Sequence, residues 1–368
     1  MENYTLNNTR LGLPGNMQTY NPASLSGRKV TVLSSDPRES DIAPMNIPVS
    51  SIAHLNAMIG MPDDCDDSKI QYPPELSEIM GEKYLSISQI RQFLHALTPT
   101  HQGYIKMALE AYLLGNSQKV KAYEPLINAA SFPGKIACFS AYQDLEISSE
   151  IIVKGEDPVF LNCGRMILNG QAKITVHAPL VISADAVDCT EAASIFVYPP
   201  DFNHKAWDGT AGIRGAAGDP AIQEPGGKGA DGTAGFSGQK GLPQPPFSMT
   251  VHGNISGTLH IGARGGNGQD GGTGGNGGDG GTGSVQGKGG DGGKGGQSGD
   301  GGDSGPVQII CRTLSGKIES TLLTALPGTP GKGGAAGRGS IDGQNGSEGE
   351  SGKPGIPSKI NVLCGTAI

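Results

Sequence analysis

Aromatic residues are scarce in this chain: they make up 5 % of 368 residues, with a single tryptophan, Trp207. Basic clusters are missing too. The formal net charge is −8, and no arginine-rich stripe interrupts the acidic balance, which argues against a nucleic-acid partner. No apolar run approaches ~18 residues, so no transmembrane helix is expected. The N-terminus, MENYTLNNTRLGLPGNMQTY, has no apolar core of the kind a secretory signal needs. The expected location is therefore the cytoplasm, or a virion or extracellular space reached by lysis or non-Sec export. The six cysteines (Cys65, Cys138, Cys163, Cys189, Cys311 and Cys364) form no CxxC pair, which argues against zinc. Four of them border β-like apolar residues and are expected as buried free thiols.

Chemistry-bearing motifs are equally thin. There is no GxxxxGK[ST] phosphate loop. Gly266-x-Gly268-x-x-Gly271 fits the dinucleotide fingerprint but has no strand–helix unit around it. The GDSGP at Gly302–Pro306 resembles a serine-protease loop but lies inside a glycine repeat without a paired histidine. Asp63, Asp64, Asp66 and Asp67 lack EF-hand spacing and read as a solvated acidic loop. His95 and His101 fall near a helix–helix turn and read as solvated helix-end histidines. With no carboxylate pair, triad or metal cluster, the expectation is a protein that is not an enzyme and carries no cofactor and no metal.

Glycine, by contrast, is abundant and unevenly placed. Eleven of the 61 glycines lie in residues 1–200 and the rest follow, so the composition changes near Asp201. Residues 1–83 are rich in Pro and Ser and read as an extended, loop-rich arm, with a weak strand at KVTVLSS. Residues 84–131 read as a helical hairpin. Ile90, Phe93, Leu94 and Leu97 share one face, Ser86 and Gln89 have capping-box spacing, Pro99 marks the end, and Gly115 follows the second helix. Residues 132–207 are short β-branched runs cut by Gly, Asn and Pro, an all-β layer that suits a sandwich or a solenoid-like stack.

From residue 208 to 368, glycine runs in strict three-residue register (209–218, 226–241, 262–283, 287–305, 328–337 and 343–355) alternate with β-like inserts. The run GGNGQDGGTGGNGGDGGTG, Gly265–Gly283, holds two GGxGxD units nine residues apart, as a calcium β-roll does. The roll needs a large aliphatic at the eighth position, where this chain has Gly272 and Gly281. A collagen triple helix needs abundant proline, which the longest runs lack. The remaining reading is a single-chain bundle of polyproline-II helices. Such helices have no internal hydrogen bonds, so their peptide groups must bond a neighbour, and glycine lets that neighbour approach. Two glycines per triplet in 262–283 predict an inner helix; one per triplet in 226–241 and 343–355 predicts outer ones. Interruptions in mid-run predict that each excursion goes out and back. The fold class expected is therefore multi-domain: an N-terminal arm and small α-helical part, an all-β layer, then about six antiparallel polyproline-II helices interleaved with β-strands.

Residues 208–355 resemble the glycine-rich polyglycine-II bundles of T-even-type phage long-tail-fibre tip adhesins. Bundles of this kind also occur in snow-flea antifreeze proteins and Obg-type GTPases. The resemblance implies a rigid distal platform whose variable segments touch a cell-surface receptor, protein or glycan. The residues expected to do so are those that break register at the turns: Asp219, Ala221, Ile222, Gln223, Glu224, Ser284, Val285, Gln286, Arg338, Ser340, Ile341 and Asp342. Residues 1–131 would dock to a carrier fibre or toxin subunit. A secreted, insecticidal or pore-forming toxin component is the alternative function, and an ice-binding or collagen-like structural protein a further one.

Overall fold

The computed structural model of the chain describes residues 2–19, 29–60, 63, 72–76, 87–95, 97, 99–141, 144–170, 172–199, 219–220, 222–357 and 359–365. Ser86, Asp64, Cys65, Asp66, Asp67, Trp207, Ala221 and the first glycine run, 209–218, lie outside the described residues.

One curled sheet organises the molecule. Its strands are β1 (Val30–Ser34), β2 (Met45–Val49), β3 (Gly134–Ala141), β4 (Leu145–Ile147), β5 (Glu150–Lys154), β6 (Val159–Leu168), β7 (Lys173–Val176), β8 (Leu180–Val197), β9 (Phe247–Ala263), β10 (Val307–Leu314), β11 (Lys317–Leu322) and β12 (Ile360–Cys364). All ladders are parallel except β2–β3. The register stacks like on like. Ala137, Val159, Leu180, Phe247, Val307 and Ile360 form one column, and Phe139, Leu161, Ile182, Met249, Ile309 and Val362 another. Farther along each coil, Thr31, Ile151, Ile174, Ile195, Ile261 and Ser320 form a third. This is a parallel β-solenoid. Alternate residues of each strand point inward, and the inward Ile, Val, Leu and Phe make one continuous core.

A proline precedes the first strand of successive coils: Pro158, Pro179, Pro246 and Pro306. Their carbonyls accept from Ala137, Val159, Leu180 and Phe247 N–H at 2.8–3.1 Å. Proline has no N–H to waste at that first position, so it stiffens the corner without breaking the ladder. The same corner receives the glycine excursions. They are inserted where one coil's last strand ends and the next proline begins.

Outside the first face lies a helical layer: α1 (Glu2–Arg10), α2 (Ile52–Ile59), α3 (Ile87–His95), α4 (Pro99–Leu113), a 3-10 turn (Ser117–Tyr123) and α5 (Glu124–Ser131). In α2, Ile52, Leu55, Met58 and Ile59 are buried on one side; Ser51 Oγ accepts from His54 N (3.1 Å), and Gly60 closes the helix at φ 67°. The described residues of the stretch expected as an extended, loop-rich arm are thus built into the fold: α1 lies against the sheet, and β1 and β2 extend it. The α1 contact is polar. Asn162 Nδ2 donates to Asn8 Oδ1 (2.9 Å), Asn8 Nδ2 to Met17 O (2.9 Å), and Asn7 Nδ2 to Ser183 Oγ (2.5 Å). The helical hairpin is also corrected. Pro99 begins α4, where its missing N–H costs nothing, and α3 packs on α5 while α4 packs on α2, the 3-10 turn and α5. Gly115 sits at φ 84° after α4, as the sequence predicts.

Segments 226–241, 265–283, 287–305, 328–337 and 343–355 contain neither helix nor strand and bond to one another at every third residue. Those that return toward the sheet bond in parallel: Gly232 N donates to Asp291 O (2.7 Å) and Gly292 N to Gln344 O (2.8 Å). The two that leave it do the same, with Gly274 N donating to Lys332 O (2.8 Å). Between these layers the bonds are antiparallel, as in Gly275 N to Thr233 O and Gly293 N to Gly275 O, both 2.8 Å. Segment 287–305 bonds to all four others, 265–283 and 328–337 to three each, and 226–241 and 343–355 to two each. Glycine-dense segments therefore sit where neighbours crowd most. At Gly274 an added Cβ would fall on the Gly293 carbonyl oxygen and within 2.8 Å of Gly334 N.

The third-position polar residues clip the layers from outside. Asp270 Oδ1 accepts from Thr329 N (2.6 Å), Asn276 Oδ1 from Ala335 N (2.9 Å), Asp279 Oδ1 from Arg338 N (2.8 Å), Asp291 Oδ1 from Gln344 N (2.7 Å) and Asp300 Oδ1 from Lys353 N (2.7 Å). The aspartates of the GGxGxD units thus take a neighbour's N–H. Where the neighbouring residue is not glycine, its amide faces outward and needs this partner.

Two further clips of the same kind, Asp231 accepting from Asp291 N (2.8 Å) and Asp303 from Ile356 N (3.0 Å), carry an acid sensitivity. The Asp291 N–H and Lys228 hold the Asp231 carboxyl below its ordinary 3.8. Burial pushes Asp303 up, but Lys240 and the Ile356 N–H outweigh it and leave it lowered. A carboxylate with a depressed folded pKa contributes stability that is present above its unfolded value and lost as pH falls through the folded one. The melting temperature is therefore expected to fall as pH drops below about 4. The double variant Asp231→Asn/Asp303→Asn should show a shallower fall, because asparagine keeps the acceptor but not the charge. An unchanged slope would remove this role.

Candidate recognition surface

Among the described residues, the far end of the glycine array carries three turns, at 219–220 with 222–224, at 284–286 and at 338–342. Each forms where the three-residue register breaks: without glycine the chain cannot stay between close neighbours, so it leaves the array and reverses. The middle turn is stapled to both others. Ser284 N donates to Glu224 O and Gly226 N to Val285 O, both 2.9 Å. On the other side Gly289 N donates to Ile341 O (2.9 Å) and Ser340 N to Gly287 O (3.0 Å). Within the turns, Gly227 N donates to Asp219 O (2.9 Å) and Gly339 N to Asp342 Oδ1 (2.9 Å). Asp279 Oδ1 fixes Arg338 N.

The sequence-derived contact residues within the described part, all but Ala221, are thereby brought to one distal surface, and all of them are exposed. An aliphatic side chain crowns each turn: Ile222 is 97 % exposed, Val285 58 % and Ile341 60 %. The same turns carry the exposed polar residues Gln223, Ser284, Gln286 and Ser340 and the exposed charged residues Asp219, Glu224, Arg338 and Asp342.

Elsewhere the chemistry is quiet. Among the described residues no group of three His, Cys, Asp or Glu side chains is placed to hold a metal ion. Burial pushes the Cys138 thiol up to about 12 and Cys189 to about 11, and Cys163 is raised as well, so these thiols are poor nucleophiles. His95 ends α3, and His101 lies in α4 with its ring 6.4 Å from that of Tyr104. The expectation of free thiols fails at two positions. Cys311 and Cys364 form a disulfide, because register places them side by side on β10 and β12. No helix among the described residues is long and apolar enough to cross a membrane.

Comparison with protein families, with characterised proteins and with solved structures finds no match for this chain.

Proposed function

We propose that the protein is a non-enzymatic recognition protein, an adhesin that presents the three distal turns to a cell-surface receptor. In this reading the glycine array is a bundle of polyproline-II helices, five of them within the described residues. Its three-residue bonding period and outward third-position side chains support that assignment. The observation that carries the functional reading is the exposure of Ile222, Val285 and Ile341 together on turns stapled backbone to backbone. Preorganisation supports it further, since little loop entropy remains to be lost on binding.

The buried and bonded N-terminal segments leave their outer surface for attachment to a carrier fibre or a second subunit. The Cys311–Cys364 disulfide fits a protein that works outside the reducing cytosol.

The test is binding of purified protein to candidate target cells. Ile222→Asp, Val285→Asp and Ile341→Asp should each weaken adsorption about thirtyfold, the loss typical of a hot-spot residue. The melting temperature should not change, because these side chains pack against little in the free protein. Variants that adsorb normally would overturn the assignment of this surface.

A further inference from the structure

A second feature lies at the opposite end of the molecule from the turns. Between α2, α4 and the proline corner of the solenoid is a cavity of about 260 Å³. Leu55 of α2 and Leu109 and Leu113 of α4 form its outer walls. Phe160 and Val181 on the outward side of the first face form its floor, and the Pro158–Pro179–Pro246–Pro306 ladder closes one side. Protein interiors are close-packed, and an apolar void of about 150 Å³ already admits benzene. This one has room for a longer aliphatic molecule.

One wall group is out of place. Ser248 follows Val181 in the same outward column, where a hydrophobic side chain would complete the lining. It is 8 % exposed, borders the cavity, and its hydroxyl has no hydrogen-bond partner. A buried hydroxyl left unsatisfied is destabilising. Lys106 and Glu110, also on the wall, face each other as an i,i+4 pair at 3.7 Å and answer each other's charge. The one polar group that lacks a partner is thus a neutral donor inside a hydrocarbon-like space.

We propose that this cavity binds a neutral, medium-chain aliphatic molecule with one hydrogen-bond acceptor, such as a ketone or ester carbonyl. The Ser248 hydroxyl donates to that acceptor and the chain fills the space along the proline ladder. A carboxylate of the same length is disfavoured, because its charge would enter an apolar lining that already carries the Glu110 carboxyl group. The site is independent of the distal turns.

Isothermal titration of the full-length protein with 2-octanone tests this, with octanoate as the charged comparison. Saturable one-to-one binding of 2-octanone is expected, at least tenfold tighter than octanoate. Ser248→Ala should weaken 2-octanone about tenfold while leaving the melting temperature unchanged or higher, since it deletes an unpartnered hydroxyl. Val181→Phe, which fills the floor, should abolish binding. No saturable binding of 2-octanone overturns the proposal, as does tighter binding of octanoate. Equal affinity in wild type and Ser248→Ala, the result if water alone satisfies the hydroxyl, overturns it too. Ser248→Ala keeps the test decisive should Val181→Phe fail to fold.

Discussion

Gly293→Ala is expected to destabilise the protein by about 3 kcal/mol or more, a large cost for one methyl group. Gly293 lies in segment 287–305, which bonds to all four other described segments. Its N–H donates to Gly275 O (2.8 Å), and its carbonyl accepts from Gly334 N (2.9 Å). An added Cβ would overlap the Thr233 carbonyl oxygen and lie 2.9 Å from Gly232 O. These obstacles are backbone atoms of a neighbour that is itself bonded, so no rotamer change relieves the clash; a whole segment must shift and break its ladder. Gly103→Ala supplies the contrast. Gly103 lies within α4 with nothing within 4 Å of the new Cβ, so alanine should stabilise by ~0.5–1 kcal/mol through helix propensity. Denaturant unfolding of the two variants should therefore move in opposite directions. Equal and mild losses would mean that the array's glycines serve chain flexibility, not close approach.

The same contrast explains what the sequence makes legible. A register of three is visible because the backbone contacts impose it residue by residue: each close approach removes one Cβ, and the removals recur with the geometry. Turns are visible where the register breaks, as at Ile222, Val285 and Ile341. The solenoid is harder to see. Its column steps almost evenly from Ala137 to Val159 to Leu180, then leaps to Phe247, Val307 and Ile360 because the excursions intervene. The prolines at 158, 179, 246 and 306 mark the starts at Val159, Leu180, Phe247 and Val307, though not those at Ala137 and Ile360, and were the signal available for it. Helix α1 is invisible to an amphipathicity argument. ENYTLNNTR has no apolar stripe because it docks on the polar row Ser140, Asn162 and Ser183, so asparagines take the place that leucines hold elsewhere. Pro99 marks the end of α3, as read, and also opens α4, because proline stops a helix before it and starts one after it with equal ease. The unpartnered Ser248 could not be found without the register that puts it beside Val181.

Reduction of the Cys311–Cys364 disulfide is expected to loosen the last coil selectively. The bridge closes a separation of 53 residues that holds β11 and the segments 328–337 and 343–355. Chain-entropy reasoning assigns a loop of this size up to about 4 kcal/mol. Its location decides where that stability is felt. Strand β12 pairs only with β10 among the described residues, whereas β8 and β9 are covered on both sides. Cys311 is buried, but Cys364 is exposed, so a small reductant reaches the bond in the folded protein. After reduction, or in Cys364→Ser, amide exchange should rise first in residues 360–364 and 343–355 while 134–197 stays protected. Segment 343–355 leads directly from the turn that carries Ile341, and that turn is held by Gly289 N donating to Ile341 O. Loosening the segment from its anchored end should therefore free one of the three aliphatic crowns and, under the proposed function, weaken adsorption to target cells, although no residue of the distal surface is altered. Uniform exchange across the chain, or unchanged exchange in 343–355, would show that hydrogen bonds between segments hold the last coil without help from the disulfide.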